Sequence, residues 1–152
     1  MIPKSEQQED LREFEWHHVW QKQHGEQLQL SGHAGAVTCI ACRPNEQWIA
    51  SGSTDHSARI WDTRTGKLVH HFTGHTKEIT DLTFSPDSLS LITSSADTTV
   101  KIWSMETARE TSTLIGHDVP VLAVAFSSDG SYIATGDSLG VINFWENSSG
   151  RS

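Results

Sequence analysis

Residues 73–104 read TGHTKEITDLTFSPDSLSLITSSADTTVKIWS, opening on Gly74-His75 and closing on Trp103-Ser104. The same frame occurs on either side: Gly32-His33 runs to Trp61-Asp62, and Gly116-His117 runs to Trp145-Glu146. Each His stands 28 residues before its Trp, and successive His residues are 42 apart. Self-similarity at a fixed period of this size means a fold assembled from copies of one supersecondary unit. Three copies in register do not arise by chance, so the architecture can be read from this spacing.

Within each unit the apolar residues alternate with a period of two and are broken every few residues by turn chemistry, which reads as strands. Unit one predicts strands over 37–42, 48–52, 58–61 and 68–72, and unit two over 79–84, 89–94, 100–103 and 111–115. Unit three predicts 121–126, 132–136 and 141–145 before a Ser/Gly-rich stretch, 147–152, which reads as a flexible tail. A further short strand is expected over 26–30. Asp129-Gly130 and Thr65-Gly66 supply positive φ for tight turns, and Pro86-Asp87 pre-sets another. The fold class is all-β.

Residues 1–25 differ in kind, being acidic and aromatic. Ser5 and Gln8 could form a capping box for a helix that Gly25 ends, with Trp16, Val19 and Trp20 on one face. Strict alternation of Phe14, Trp16, His18 and Trp20 offers a strand instead, and helix is the favoured reading.

The chain has 152 residues, a net charge of −8 and two cysteines. That length suits one domain, and two cysteines make no disulfide framework, which points to the reducing cytosol or nucleus. A net negative chain without a Lys/Arg cluster disfavours nucleic acid and anionic membrane as partners. No apolar run approaches the ~18 residues that cross a bilayer, and residues 1–10 lack the apolar core of a secretory signal.

The units resemble the WD-repeat β-propeller family over residues 26–146. The resemblance is carried by Thr73-Gly74-His75, by LTFSPD at 82–87, by SSAD at 94–97 and by VKIW at 100–103, in family order. It implies a partial propeller of about three four-stranded antiparallel blades, around 31–72, 73–115 and 116–146, with 26–30 as a spare outer strand. It also implies a structural tetrad in each blade. The sets are His33, Ser51, Asp55 and Trp61, then His75, Thr93, Asp97 and Trp103, then His117, Thr135 and Trp145. In the third set the Asp position, 139, holds Leu, and Asp137 lies two residues earlier. The expectation is an incomplete network and a less rigid turn there.

His, Ser and Asp together also invite a hydrolase reading. Their recurrence once per unit favours a structural role, so no catalytic residue is assigned. Cys39 and Cys42 spell C-x-x-C without a second ligand pair, and His17, His18, His24, His70 and His71 are scattered. Small buried fillers and surface histidines are therefore expected, and no metal or cofactor.

Propellers of this family carry partners on rigid loops, which implies a non-catalytic scaffold for proteins or peptides within a larger assembly. The loop-face candidates are Thr54, His56, Lys77, Glu78, Thr98, Asp118 and Ser138. A reading from another class is the sensor or autoinhibitory propeller of a larger signalling NTPase. IATGD at 133–137 and INFW at 142–145 are similar to blades of apoptosome-scaffold proteins.

Closed propellers use about four to eight blades, and three do not close. The strands of the three units together with 26–30 number twelve, or three blades of four. Two arrangements answer this: a homodimer closing a six-bladed ring by exchanging the first strand, or a segment of a larger propeller.

Overall fold

A computed structural model describes residues 28–44 and 47–147. Every regular element among them is a strand: β1 Val37–Cys42, β2 Trp48–Ser53, β3 Ala58–Asp62, β4 Leu68–Phe72, β5 Ile79–Phe84, β6 Ser90–Ser95, β7 Thr99–Ser104, β8 Glu110–Ile115, β9 Val121–Phe126, β10 Tyr132–Asp137 and β11 Ile142–Glu146. They form three antiparallel sheets in simple chain order: β1-β2-β3-β4, β5-β6-β7-β8 and β9-β10-β11. These are blades one, two and three of a partial propeller.

The registers repeat with the sequence. Ala50 faces Ile60 across β2 and β3, Ile92 faces Ile102 across β6 and β7, and Ala134 faces Phe144 across β10 and β11. Positive φ falls at Gly66 (71°) and Gly130 (74°), where Thr65-Gly66 and Asp129-Gly130 reverse the chain.

Two seams hold the blades together. In the first, Ala50, Ala58, Ile60 and Phe72 of blade one pack on Ile79, Leu82, Phe84, Leu91 and Trp103 of blade two. In the second, Ile92, Val100 and Ile102 of blade two, with Leu114 beside them, pack on Val121, Val124 and Ile133 of blade three. Full burial of a side chain such as Phe72 contributes about 2–3 kcal/mol. Gly52 lets the seam close, because a Cβ there would overlap Cys39 Sγ and Ile79 Cγ2. One polar bond also repeats: Thr38 Oγ1 donates to the Ile79 carbonyl and Thr80 Oγ1 to the Val121 carbonyl, each at 2.5 Å. Leu122 takes the third place in this series and is exposed.

Two expectations need correction. The strand over 26–30 is absent in its described part, since residues 28–30 pair with no sheet. Blade three accordingly has three strands, and the described strands number eleven. The physical reason is reach: blade three lies two seams away from the start of blade one, so its free edge is out of range of those residues. The second correction concerns the cysteines. Cys42 is exposed and Cys39 half-buried, both free thiols: among the described residues no sheet packs on the face of blade one that carries Cys42, whereas Cys39 lies at the first seam beside Ile79. The expected helix within 1–25 and the tail residues 148–152 lie outside the described residues.

Candidate functional site

The three tetrads stand at one end of each sheet, where the first strand begins, the second ends and the third begins. In blade two, Trp103 Nε1 donates to Thr93 Oγ1 at 2.9 Å, and that hydroxyl lies 2.8 Å from His75 Nε2. His75 Nδ1 is 2.8 Å from Asp97 Oδ2. Blade one repeats the chain through Trp61, Ser51, His33 and Asp55 at 2.8, 2.7 and 2.9 Å. One proton assignment satisfies every group: indole N–H to hydroxyl oxygen, hydroxyl to Nε2, and Nδ1–H to carboxylate. The imidazole is then neutral.

The carboxylate also clamps the turn that follows it. Asp97 Oδ1 accepts from the Thr99 hydroxyl at 2.6 Å and the Thr99 amide at 2.9 Å. Its other oxygen accepts the Thr76 amide at 3.0 Å, tying the loop before β5 to the turn after β6. Burial works to raise the pKa of Asp97, but the bonds from Thr99, His75 and Thr76 outweigh it and hold the carboxyl down at about 2. Asp55 is likewise opposed by burial and held well below the usual range by Ser57, His33 and Ala34. Burial lowers the pKa of His75, and Asp97 only partly opposes it.

The expectation of an incomplete third network is overturned. Asp137 Oδ2 lies 2.8 Å from His117 Nδ1, Thr135 Oγ1 is 2.8 Å from Nε2, and Trp145 Nε1 donates to Thr135 Oγ1 at 2.9 Å. The reason lies in a residue the other blades use differently. Ser53 and Ser95 stand where Asp137 does, and their hydroxyls accept the Asp55 and Asp97 amides at 3.1 Å. Asp137 performs both jobs, taking His117 with Oδ2 and the Leu139 amide with Oδ1 at 3.0 Å. Its bond to His117 is the leading reason that its pKa is lowered.

Asp–His–Ser at these distances has the connectivity of a hydrolytic triad. What differs is the fourth member. Each hydroxyl is buried and already accepts an indole N–H, so it has no free path to a substrate carbonyl.

The seven loop-face candidates all fall at this end. One backbone bond per blade couples the two loops that carry them: Thr54 N to Ala36 O at 2.9 Å, Ala96 N to Glu78 O at 3.1 Å and Ser138 N to Pro120 O at 3.0 Å. His56, Lys77, Glu78, Asp118 and Ser138 are exposed. Thr98 is half-buried, and its φ of 74° matches the 70° of His56. Thr54 is committed to the scaffold, because its hydroxyl accepts the Ala36 amide at 2.9 Å.

Leu139 belongs with this group and was not singled out from sequence. Displaced from the network by Asp137, it stands 76% exposed in the same turn. The signal was the Leu itself at an Asp position. Among the described residues no group of His, Cys, Asp and Glu has metal-ligand geometry, and burial pushes the Cys39 thiol up, away from the ligating thiolate.

Short stretches of this chain are similar to known proteins. It is 43% identical over 54 residues to human pleiotropic regulator 1, covering 36% of this chain and 10% of that protein. Against the ribosome biogenesis protein BOP1 homolog of Arabidopsis thaliana it is 52% identical over 40 residues, 26% of this chain and 5% of that one. Against eukaryotic translation initiation factor 3 subunit I of Xenopus tropicalis it is 46% identical over 50 residues, 32% and 15% of the two chains. The matches thus span a small fraction of each relative. The profile of the WD domain, G-beta repeat family matches residues 25–62, 66–104 and 108–146. With three tetrads in three blades, and that profile matched over most of its length, the chain belongs to the WD-repeat family.

Proposed function

We propose that the chain is a non-catalytic scaffold that docks partner proteins or peptides on the loops at the tetrad end of its blades, within a larger assembly of the cytosol or nucleus. One observation carries this reading. Buried networks fix the loops from beneath while His56, Lys77, Glu78, Asp118, Ser138 and Leu139 remain exposed above them. A rigid platform with projecting side chains loses little entropy when a partner settles on it. The mixed charges of Lys77, Glu78 and Asp118 supply polar recognition, and Leu139 an apolar anchor. Relatives named as a ribosome biogenesis protein and a translation initiation factor subunit support work within multi-protein assemblies. The net charge of −8 favours protein over nucleic acid as the docked class.

The test is affinity capture from cell extract with the native chain and with Lys77→Ala, Glu78→Ala and Asp118→Ala combined. Loss of specific partners from the triple variant supports the loop face. Unchanged recovery would place docking elsewhere.

A further inference from the structure

Blade two has a neighbouring blade on each face, so what it leaves exposed is decided by its own residues. At its tetrad end two residues stand out. The first is Thr98. Its φ is 74°, and among the described residues it is the one β-branched side chain with positive φ. Blade one places His56 at the same point of the turn with φ 70°, and blade three Gly140 with φ 84°. A branched Cβ crowds its own backbone in this region, whereas histidine tolerates it better and glycine has no Cβ to crowd.

The turn holds Thr98 at this angle through its neighbours. Asp97 Oδ1 accepts the amide and the hydroxyl of Thr99, and the Ser95 hydroxyl accepts the Asp97 amide. The Ser95 carbonyl accepts the Thr98 amide at 3.3 Å. The hydroxyls of Ser95 and Thr99 are thus engaged, whereas that of Thr98, half-buried, bonds to nothing among the described residues. A costly backbone angle that the surroundings enforce points to a use for the side chain it presents.

The second residue is Ile115, 75% exposed at the end of β8. It pairs with Thr99 across β7 and β8, one residue from Thr98. Leu114 turns into the seam with blade three, so Ile115 turns to the opposite face of the sheet. The equivalent place in unit one, 42 residues earlier, holds Thr73. An apolar side chain and an unengaged hydroxyl therefore share one corner of blade two.

We propose that Thr98 and Ile115 form a docking point for an extended segment of a partner protein. A backbone group of the segment bonds to the Thr98 hydroxyl, and an apolar side chain of the segment covers Ile115. The enforced turn sets the hydroxyl in place before the partner arrives, so little freedom is lost on binding. The apolar half of the point and the net charge of −8 favour a polypeptide over a nucleic acid. The proposal rests on the loop-face reading and narrows it to blade two.

Peptides selected on the native chain from a random display library test it, with affinities measured by fluorescence polarisation. Thr98→Gly borrows the residue of blade three and Ile115→Thr that of unit one, so both suit the fold. Thr98→Gly should melt above the native chain, because relief of the backbone exceeds the extra freedom that glycine gains on unfolding. It should nevertheless bind the selected peptides about tenfold more weakly, the effect of one lost hydrogen bond. Ile115→Thr should also weaken them, and Thr98→Ser, which keeps the hydroxyl, should lose far less than Thr98→Gly. Peptides that bind Thr98→Gly and Ile115→Thr as they bind the native chain, but fail on the combined Lys77→Ala, Glu78→Ala and Asp118→Ala variant, would overturn the docking point and leave the loop face standing. Peptides indifferent to every variant would overturn both. A Thr98→Gly chain that melts no higher than the native one would remove the strain, and the proposal with it.

Discussion

Asp137 and His117 meet at 2.8 Å across 20 residues of chain, whereas the corresponding pairs in the other blades span 22. The carboxylate thus arrives at the same imidazole nitrogen from a position two residues earlier. It follows that the network selects for a carboxylate in reach, and that the residue number supplying it is free to move. Asp137→Ala should lower the melting temperature and expose Trp145. Asp137→Ser combined with Leu139→Asp, which recreates the arrangement of blade two, should recover most of that loss. Differential scanning fluorimetry of the three proteins decides it, and a double variant no better than Asp137→Ala would refute the account.

Thr93 is the fully buried hinge of the middle tetrad, bonded to both Trp103 and His75. Thr93→Val keeps the shape and removes the hydroxyl, leaving an indole N–H and a ring nitrogen unsatisfied. Each such orphan costs about 1–3 kcal/mol, so a total loss of about 2–6 kcal/mol is expected in urea denaturation. Thr93→Ser retains the hydroxyl and should lose far less, as Ser51 serves in blade one.

Acid should weaken the fold in two stages. His75 has its pKa lowered from 6.5 in the folded chain, so the unfolded chain takes up the proton first. Stability from this group is intact above 6.5 and falls as pH drops below it. Asp97 is held at about 2 against 3.8 when free, so its contribution persists above 3.8 and is lost between 3.8 and about 2. Denaturation midpoints measured from neutral pH downward should therefore decline below 6.5 and decline again below 3.8. A flat profile between those two values would contradict the neutral-imidazole assignment.

Phe72 is 2% exposed and sits 5.2 Å, ring to ring, from Trp103 across the first seam. Phe72→Ala should cost about 3–5 kcal/mol by lost transfer energy and the cavity left behind. Gly52→Val should also weaken the seam, by pushing Ile79 away. Hydrogen exchange should show the loss in both blades one and two, with the tetrad of blade three little changed.

Strand positions were legible because the period-two pattern and the Gly and Pro turns agree at every unit, and the tetrad partners were implied by the resemblance to the WD-repeat family. What could not be read were effects of missing neighbours. Cys42 was expected as a small buried filler because no second ligand pair accompanies it, but among the described residues no sheet packs on it, whereas Phe84, at the equivalent place in unit two, lies in the first seam. Residues 28–30 have the alternation of a strand, but a strand needs an edge to pair with, and sequence carries no record of where that edge lies. Asp137 escaped because a strict offset hides a substitution that geometry tolerates. A side chain at the end of β10 reaches the ring as readily as one in the following turn.

Blade two is the only described sheet with both flanks occupied, and its two flanks are built from equivalent residues at the 42-residue offset. Cohesion in such a molecule is a property of adjacent pairs, and no part of it senses the total. Inserting a duplicate of residues 74–115 after Ile115 should therefore lengthen the arc by one module and one junction, raising the free energy of unfolding by a fixed increment while leaving the terminal modules the first to fray.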